Sequence, residues 1–279
     1  MLATAKIEIE SLVEMELPPL PGSAMRVAAL VEDMNSSARV IADAIGSDPV
    51  LAARVLRTAN SPLYSLERRI TALPMAVNAL GNHAIHMLVI MSVASDSFNG
   101  GKRSPLGRAL WEHSVAVGLA AREVSLALGM RGAEEAFLCG LLHDIGKLLL
   151  LRYDPEVYAQ VLEASAERGL LECEMEVYGY THAQVGALVS RRWNLPEEIS
   201  YAIYNHHQPS EAGQSLFMAR VIDVADALAN AAGIGMRQGK SLDQEAWESM
   251  MALRLTDEQL KSAWEKVEAS YREMISLFS

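Results

Sequence analysis

Apolar residues recur along most of this chain at spacings of three and four, with polar residues between them. One such stretch places Val40, Ile41, Ala44 and Ile45 on one side, and another covers residues 106–128. This spacing puts the apolar side chains on one face of an α-helix, whereas a half-buried β-strand needs alternation at every second position. Strand-like alternation is nearly absent, so the pattern predicts an all-α fold with short connections.

Prolines and capping residues mark where these helices begin and end. The prolines within residues 17–21 stop a first helix over residues 1–16, because proline is excluded from a helix interior. We interpret them as a stiff corner, and the alternative is a polyproline ligand for another domain. Asp48 before Pro49 predicts a helix start, with a capping carboxylate followed by proline at the first helical position.

The clearest internal boundary is a cluster of glycine, charge and proline at residues 99–105. Before it, Gly81 closes a short helix and a long, apolar helix follows over residues 83–94. We therefore predict an N-terminal helical subdomain, a helical bundle and a C-terminal helical tail, over residues 1–104, 105–235 and 236–279.

The tail has its own helix signal and a regular apolar stripe. Thr256 followed by Gln259 has the form of a capping box. The stripe then follows at alternating steps of four and three, with Leu260, Trp264, Val267, Tyr271, Met274 and Phe278. Packing onto the parent domain explains this stripe, and a homodimer or a partner helix is the alternative.

After the boundary, the pattern predicts an antiparallel helical hairpin. One helix covers residues 106–128, with His113 in its second turn, and the next covers residues 133–151. Because each predicted helix has about 20 residues, positions about 30 apart in sequence lie level near the open end of the hairpin. The hairpin therefore brings His143 and Asp144 towards His113.

Composition limits the kinds of partner and compartment. The chain has 279 residues, of which 51% are hydrophobic and 21% charged, and its net charge is −11. This acidic balance argues against non-specific nucleic-acid binding and against anionic membranes. Two cysteines provide no disulfide framework, and neither a signal peptide nor a transmembrane stretch is recognisable. The cysteine content fits a reducing compartment, and we take a bacterial cytoplasm as the simplest location.

A short stretch inside an apolar run carries an imidazole, a carboxylate and an ammonium, on His143, Asp144 and Lys147. Burying such groups without partners costs several kcal/mol, so something must compensate them. A metal ion would do so, with Lys147 one turn further on and available to a phosphate. The alternative is a buried His–Asp pair that ties helices together.

Other histidines and aspartates strengthen the metal interpretation. They are His182 at a predicted helix start, the pair His206 and His207, and Asp223 and Asp226 on a last core helix. Mixed imidazole and carboxylate ligands suit Fe, Mn, Zn or Ni rather than calcium. A second ion sharing Asp144 would recruit His182, His206 and His207. An open position on such a metal acidifies water and so supports hydrolysis.

The order of these residues resembles the H…HD…D signature of the HD superfamily of metal-dependent phosphohydrolases. With Tyr180-Thr-His182 and the double histidine, the series is also similar to the HD-GYP branch, known for cyclic-dinucleotide phosphodiesterases. That resemblance implies one group of core ligands, His113, His143, Asp144 and Asp226, and a second group completed by His182, His206 and His207. The Gly-Tyr-Pro loop of that branch is missing, since this chain reads Gln208-Pro-Ser-Glu211.

Further segments resemble the HDOD domain over roughly residues 12–232. They lie at residues 17–21, 48–51, 54–61, 79–81, 179–182, 193–196 and 206–209. The resemblance implies an HD-related, all-helical module of bacterial signalling proteins, often fused to receiver or cyclic-dinucleotide domains. Many HDOD domains have lost the metal residues, whereas this chain keeps the full set.

Two functions follow as hypotheses. The first is a regulatory HDOD module that binds a signalling protein or a nucleotide-like small molecule and keeps its metal site. The second is a metal-dependent phosphohydrolase or phosphodiesterase, in which Asp144 orients the metal. In that case Lys147, with Arg191 or Arg192, neutralises the charge that develops on phosphate. Metal content together with turnover would separate the two.

Overall fold

The structure is a computed structural model, and it describes residues 7–17, 21–33, 35–61, 63–64, 69–101, 104–235 and 244–277. Within these ranges the secondary structure is helical and contains no strand, as the pattern predicts. The first half contains α1 (Ile9–Glu16), α2 (Gly22–Glu32), α3 (Ala38–Gly46), α4 (Pro49–Ala59) and α5 (Leu73–Gly101).

The second half carries the histidines and aspartates of the predicted site. Its helices are α6 (Pro105–Ala127), α7 (Ala133–Leu142), α8 (Ile145–Tyr153), α9 (Pro155–Arg168), α10 (Leu170–Tyr178), α11 (His182–Arg192), α12 (Glu197–Tyr204), α13 (Leu216–Ala231), α14 (Gln244–Leu253) and α15 (Asp257–Leu277). Two short 3-10 turns, Pro209–Glu211 and Gly213–Ser215, connect α12 to α13.

Several predicted helix starts are confirmed by capping hydrogen bonds. Asp48 accepts from the backbone N–H groups of Val50 and Leu51 at the start of α4. Thr181 and Gln184 form a reciprocal capping box at the start of α11. Such caps satisfy backbone donors that have no partner within the helix, and each contributes about 1 kcal/mol. The cap at Thr181 also fixes the neighbouring His182 at the first helical position.

The long helix α5 is interrupted at Gly81, whose φ of 79° and ψ of 169° are not helical. Glycine adopts a positive φ without the steric cost of a side chain, so the predicted end of a short helix is seen as a kink. Among the described residues, the stretch Leu73–Asp96 is long and apolar enough to cross a membrane by length and composition, yet 61% of its apolar window is buried inside the protein. A core helix has the same properties.

One hydrophobic core joins the two halves. The central helix α6 packs against α7, α13 and α15, and α5 packs against both α6 and α7. The close approach of α6 and α7 depends on glycine, because a Cβ atom on Gly140 would lie 2.7 Å from the Val117 carbonyl oxygen. The predicted boundary falls between α5 and α6, and the division into three parts stays a prediction.

Other sequence expectations need correction. Residues 133–151 form two helices rather than one, and α10 was not predicted, whereas α14 lies within the predicted helical tail. In the tail, Val267 and Met274 are fully buried where α15 packs against α6, so the apolar stripe is covered within the chain. A homodimer through the tail stays a prediction. Residues 18–20 and Phe278 lie outside the described residues.

Candidate metal centre

The site is organised by a break in the helix that the sequence predicts as continuous. Helix α7 ends at Leu142, His143 follows as its C-cap, and Asp144 precedes α8 with φ −103° and ψ 9°. Both side chains are 1% exposed. On a continuous helix the two side chains would point about 100° apart. The break instead lets His143 and Asp144 face the same buried space.

Distant elements deliver the remaining donors to that space. His113 lies on α6, His182 opens α11, and Asp226 lies on α13. His206 and His207 follow the end of α12. Asp223, the other aspartate on α13, instead accepts a hydrogen bond from Ser249 Oγ at 2.6 Å.

The donors form a first group around His113 and His143. His113 Nε2 lies 2.8 Å from Asp226 Oδ1 and 3.7 Å from Asp144 Oδ2. His143 Nε2 lies 3.4 Å from Asp144 Oδ2 and 3.8 Å from Asp226 Oδ1. One donor atom from each of His113, His143 and Asp144 lies within 4.8 Å of the others, which is close enough for a common ion.

A second group uses the other oxygen of the same aspartate. Asp144 Oδ1 lies 3.3 Å from His182 Nε2 and 3.9 Å from His206 Nε2. His207 Nε2 lies 2.9 Å from His182 Nε2. Donor atoms of these four residues also lie within 4.8 Å of one another. Asp144 therefore belongs to both groups, as a bridging ligand would.

Backbone carbonyls hold three of the imidazoles in one orientation. The Nδ1 atoms of His113, His143 and His206 lie 3.0, 2.7 and 2.6 Å from the carbonyl oxygens of Ile234, Gly140 and Ile203. A proton on Nδ1 makes that bond, and in His143 and His206 it leaves Nε2 as an electron-pair donor. This outer hydrogen bond is typical of metal-binding histidines. His113 Nε2 instead donates a hydrogen bond to Asp226 Oδ1, so a metal ion at this position would replace that proton.

The inner atoms of the cluster are buried without hydrogen-bond partners. Among the described residues this holds for His143 Nε2, His206 Nε2 and Asp144 Oδ1. An unsatisfied buried polar atom costs about 1–3 kcal/mol, so several in one place need a compensating partner. A divalent cation satisfies imidazole nitrogens and carboxylate oxygens at once. The buried cluster therefore fits a metal ion, and the donor set is of the mixed type that transition metals accept.

Sequence reasoning missed the residue that holds His182. Glu174 on α10 is fully buried, and its Oε2 accepts from the backbone N–H of His182 at 2.8 Å and lies 2.7 Å from His182 Nδ1. Tyr158 donates its hydroxyl to Glu174 Oε1 at 2.9 Å. The only signal in the sequence was a glutamate within an apolar helical face, between Cys173 and Val177.

Electrostatics keeps the cluster ready for a cation. Burial lowers the pKa of His206 to about 3, and burial together with His206 lowers the pKa of His207, so both imidazoles are neutral. Burial would raise the pKa of Asp144, but His143 and Lys147 outweigh it and hold that pKa well below its usual value. The hydrogen bond from His113 outweighs burial at Asp226 and lowers its pKa in the same way.

A cavity of about 170 Å³ adjoins the cluster. Its wall includes His113, Asp144, Lys147, His207, Asp226 and Asn230. Lys147 is 8% exposed, and its Nζ lies 2.6 Å from Asp144 Oδ2. A single ammonium group thus lies between the shared carboxylate and the space that a small ligand would enter.

The two arginines predicted to assist Lys147 lie elsewhere. His182 is at the first residue of α11, whereas Arg191 and Arg192 are in its last turn. Nine residues of helix separate His182 from Arg191 by about 13 Å along the axis, because the rise is about 1.5 Å per residue. Both arginines are exposed, and Arg192 pairs with Glu14 at 3.5 Å. We correct that part of the sequence prediction.

Curated relatives share only part of their length with this chain. A Treponema pallidum protein is 26% identical over 197 residues, which is 69% of this chain and 38% of that protein. Ribonuclease Y of Thermus thermophilus is 34% identical over 142 residues, which is 51% of this chain and 20% of the enzyme. The chain therefore spans well under half the length of these relatives.

Solved structures resemble nearly the whole chain. A presumed phosphohydrolase from Shewanella amazonensis has a TM-score of 0.74 and 27% identity, covering 97% of this chain and 98% of its own. An HDOD domain protein of unknown function from Geobacter sulfurreducens has a TM-score of 0.73 and 28% identity, covering 97% and 96%. The HDOD domain model matches residues 17–209. This match covers most of the chain, and the chain belongs to the HDOD domain family.

Proposed function

We propose that this chain is a regulatory module of bacterial signal transduction in which a metal centre binds a small, phosphate-containing signal molecule. The proposal rests on three buried atoms that could bind a metal and that have no hydrogen-bond partner. They are His143 Nε2, Asp144 Oδ1 and His206 Nε2. A purely structural His–Asp pair would satisfy these atoms with protein groups. The family membership supports a signalling role, because the resemblance to HDOD domains implies a module of bacterial signalling proteins.

In this proposal one or two divalent transition metals, from Fe, Mn, Zn and Ni, occupy the cluster. One group of ligands is His113, His143, Asp144 and Asp226, and the other is Asp144, His182, His206 and His207. The metal supplies a positive centre that attracts phosphate oxygens and polarises the phosphorus. Glu174 keeps His182 in a single orientation, since its Oε2 contacts both the backbone N–H and the Nδ1 atom of that residue.

The adjoining cavity would take the phosphate group. Lys147 contributes the ammonium, and Asn230 contributes an amide that already donates to Asp226 Oδ1 at 2.9 Å. A lysine ammonium is a compact charge with several donors, suited to phosphate oxygens. Apolar residues of α6 and α9, Leu106 and Leu162, form another part of the wall and exclude water there.

Metal content tests the first part of this proposal. The purified protein is expected to contain one or two equivalents of a transition metal by inductively coupled plasma mass spectrometry. His143→Ala should lose most of that metal. His83→Ala is the matched control, because His83 has an 81% exposed side chain paired with Glu135 and lies outside the cluster. Metal-free wild-type protein, or equal metal in both variants, would reject the metal centre.

Ligand binding tests the second part. Calorimetric titration with inorganic phosphate and with guanosine nucleotides should show saturable binding to the metal-loaded protein. Lys147→Met keeps an unbranched side chain without the charge, so it should weaken binding by about tenfold, equivalent to 1.4 kcal/mol. Phosphate binding that is unchanged in this variant would remove Lys147 from the site.

Hydrolysis is the second candidate function, and a specific observation favours it. The two oxygens of Asp144 face separate histidine groups, and paired metal sites of that kind clamp the attacking and leaving oxygens of phosphoesters. The Shewanella relative is a presumed phosphohydrolase and the Thermus relative is named as a ribonuclease. Metal-dependent turnover of cyclic dinucleotides, RNA or nitrophenyl phosphates that disappears in His143→Ala would establish it. Full metal loading and ligand binding without turnover would leave the regulatory role.

A further inference from the structure

A second concave site lies outside the metal cluster, where α12 and the following 3-10 turns form an open cleft of about 830 Å³. This volume falls in the range of about 300–1,000 Å³ that is typical of ligand sites. Its wall includes Arg191, Glu197, Glu198, Tyr201, Tyr204 and Glu211. Carboxylates therefore outnumber the one guanidinium group among these residues, and the cleft favours a cationic ligand.

Exposed aromatic rings add to that preference. Tyr201 is 45% exposed and Tyr204 is 48% exposed, which is high for large side chains in one cleft. The guanidinium carbon of Arg191 lies 5.7 Å from the centre of the Tyr201 ring, so the protein already places a cation against one of the two tyrosines. Cations over tyrosine rings are attracted by the ring quadrupole. Tyr204 offers a second ring to the cation of a ligand.

A buried hydroxyl group points to a ligand independently of the charges. Ser215 lines the cleft and is 4% exposed, and its Oγ has no hydrogen-bond partner among the described residues. It occupies the N-cap position of α13, where serine normally accepts from the first turn, yet it makes no such bond. Its hydroxyl thus lies in the wall of the cleft without a protein acceptor among the described residues.

We propose that this cleft binds a lysine- or arginine-bearing peptide segment of a partner protein. The basic side chains would meet Glu197, Glu198 and Glu211 and stack on Tyr204, in the way that Arg191 stacks on Tyr201. A peptide carbonyl would accept from Ser215 Oγ, which a polyamine cannot do because it has no acceptor group beyond its amines. The site does not depend on the metal centre, so the two proposals can fail separately.

The test uses the full chain and a fluorescein-labelled peptide, Gly-Arg-Lys-Arg-Gly, in fluorescence polarisation at about 0.15 M salt, where exposed long-range charge effects are largely screened. Saturable binding is expected, with no binding of the peptide in which glutamine replaces the basic residues. Chelation of metal before the titration should leave the affinity unchanged. Absence of saturable binding to the wild-type chain would overturn the proposal.

Variants locate the site. Glu197→Gln combined with Glu198→Gln should weaken binding by about tenfold or more, and Tyr204→Leu by about threefold. Glu163→Gln combined with Glu167→Gln is the matched control, because both are exposed glutamates on α9, away from the cleft. An equal loss in the control pair would show a general charge effect and reject the cleft.

Ser215→Ala separates ligand recognition from folding. Removing an unsatisfied buried hydroxyl should leave the free energy of unfolding unchanged or slightly raised, while peptide affinity falls severalfold. An unchanged affinity would reject the role of this hydroxyl. Spermidine tests whether the cation comes from a small polyamine. If spermidine competes with an affinity equal to that of the peptide, and the same variants lose this competition, the cleft binds small polyamines and the peptide proposal is overturned.

Discussion

Glu174 provides the sharpest test of the metal centre, because it touches the cluster only through His182. Its carboxylate is fully buried and takes three contacts, from the backbone N–H of His182, from His182 Nδ1 and from the Tyr158 hydroxyl. Burial, followed by Glu174, raises the pKa of Tyr158 well above its usual value, so that hydroxyl stays protonated and donates. The substitution Glu174→Gln keeps the volume and the acceptor oxygen but removes the charge.

The expected loss follows from the change in hydrogen-bond strength. A bond to a charged group contributes about 1.5–3 kcal/mol and a neutral one about 0.5–1.5 kcal/mol. The bond from His182 Nδ1 should therefore weaken by about 1–1.5 kcal/mol, which lowers the electron density that Nε2 offers to a metal. This corresponds to about tenfold in metal affinity. Similar outer-ligand substitutions cost about 10–100-fold in known metalloproteins.

The assay is competition for Zn²⁺ or Mn²⁺ against a chromophoric chelator at fixed pH, with urea unfolding of the chelated protein as a check on stability. Glu172→Gln is the control, because Glu172 lies on the same helix with a 63% exposed side chain paired to Arg168. The control should keep wild-type affinity. If Glu174→Gln binds metal within twofold of wild type while folded, then His182 is not a ligand whose orientation depends on Glu174.

Three further predictions concern packing, the shared aspartate and the thiols. Gly146→Ala should lower the free energy of unfolding by about 1–3 kcal/mol and weaken metal binding, because the added Cβ atom would overlap the His182 carbonyl oxygen. Urea unfolding measures this loss, and Gly22→Ala is the control because Gly22 has open space around it. Asp144→Asn should abolish metal binding at both groups of ligands. It should also lower the free energy of unfolding of the chelated protein by about 3–5 kcal/mol, because Lys147 stays buried without its partner. Retention of one equivalent of metal would contradict the role of Asp144 as a ligand shared by both groups. The thiols of Cys139 and Cys173 are fully buried, and burial raises the pKa of Cys139, so neither should react with Ellman's reagent at pH 8 until urea unfolds the chain; rapid reaction of the folded protein would contradict this burial.

The fold was largely readable because its signals are local. The caps at Asp48 and Thr181 and the apolar periodicity each act within a few residues, so they predict helices without knowledge of the partner helix. The break at His143 was missed for the opposite reason. No proline or glycine stands at residues 143 and 144, and the apolar run continues on both sides, so only tertiary contacts interrupt the helix there.

The candidate metal-binding residues could be named from the sequence, but the groups that hydrogen-bond to them and orient them could not. Imidazoles and carboxylates inside apolar segments are conspicuous, whereas Ile234 contributes only a backbone carbonyl to His113. Glu174 resembles any glutamate of an amphipathic helix until α10 is seen beside α11. The place of the two arginines could not be predicted either, because only the position of α11 shows that its last turn carries Arg191 away from the cluster.

The shared position of Asp144 explains why these features belong together. On a continuous helix one carboxylate could serve only one side, and the second histidine group would need its own acid. The break turns Asp144 so that Oδ2 meets His113 and His143 while Oδ1 meets His182 and His206. Side-chain atoms of both residues at the break, His143 Nε2 and Asp144 Oδ1, are buried without hydrogen-bond partners. A cation bound between the groups would compensate them, so metal binding and the local backbone conformation would stabilise each other.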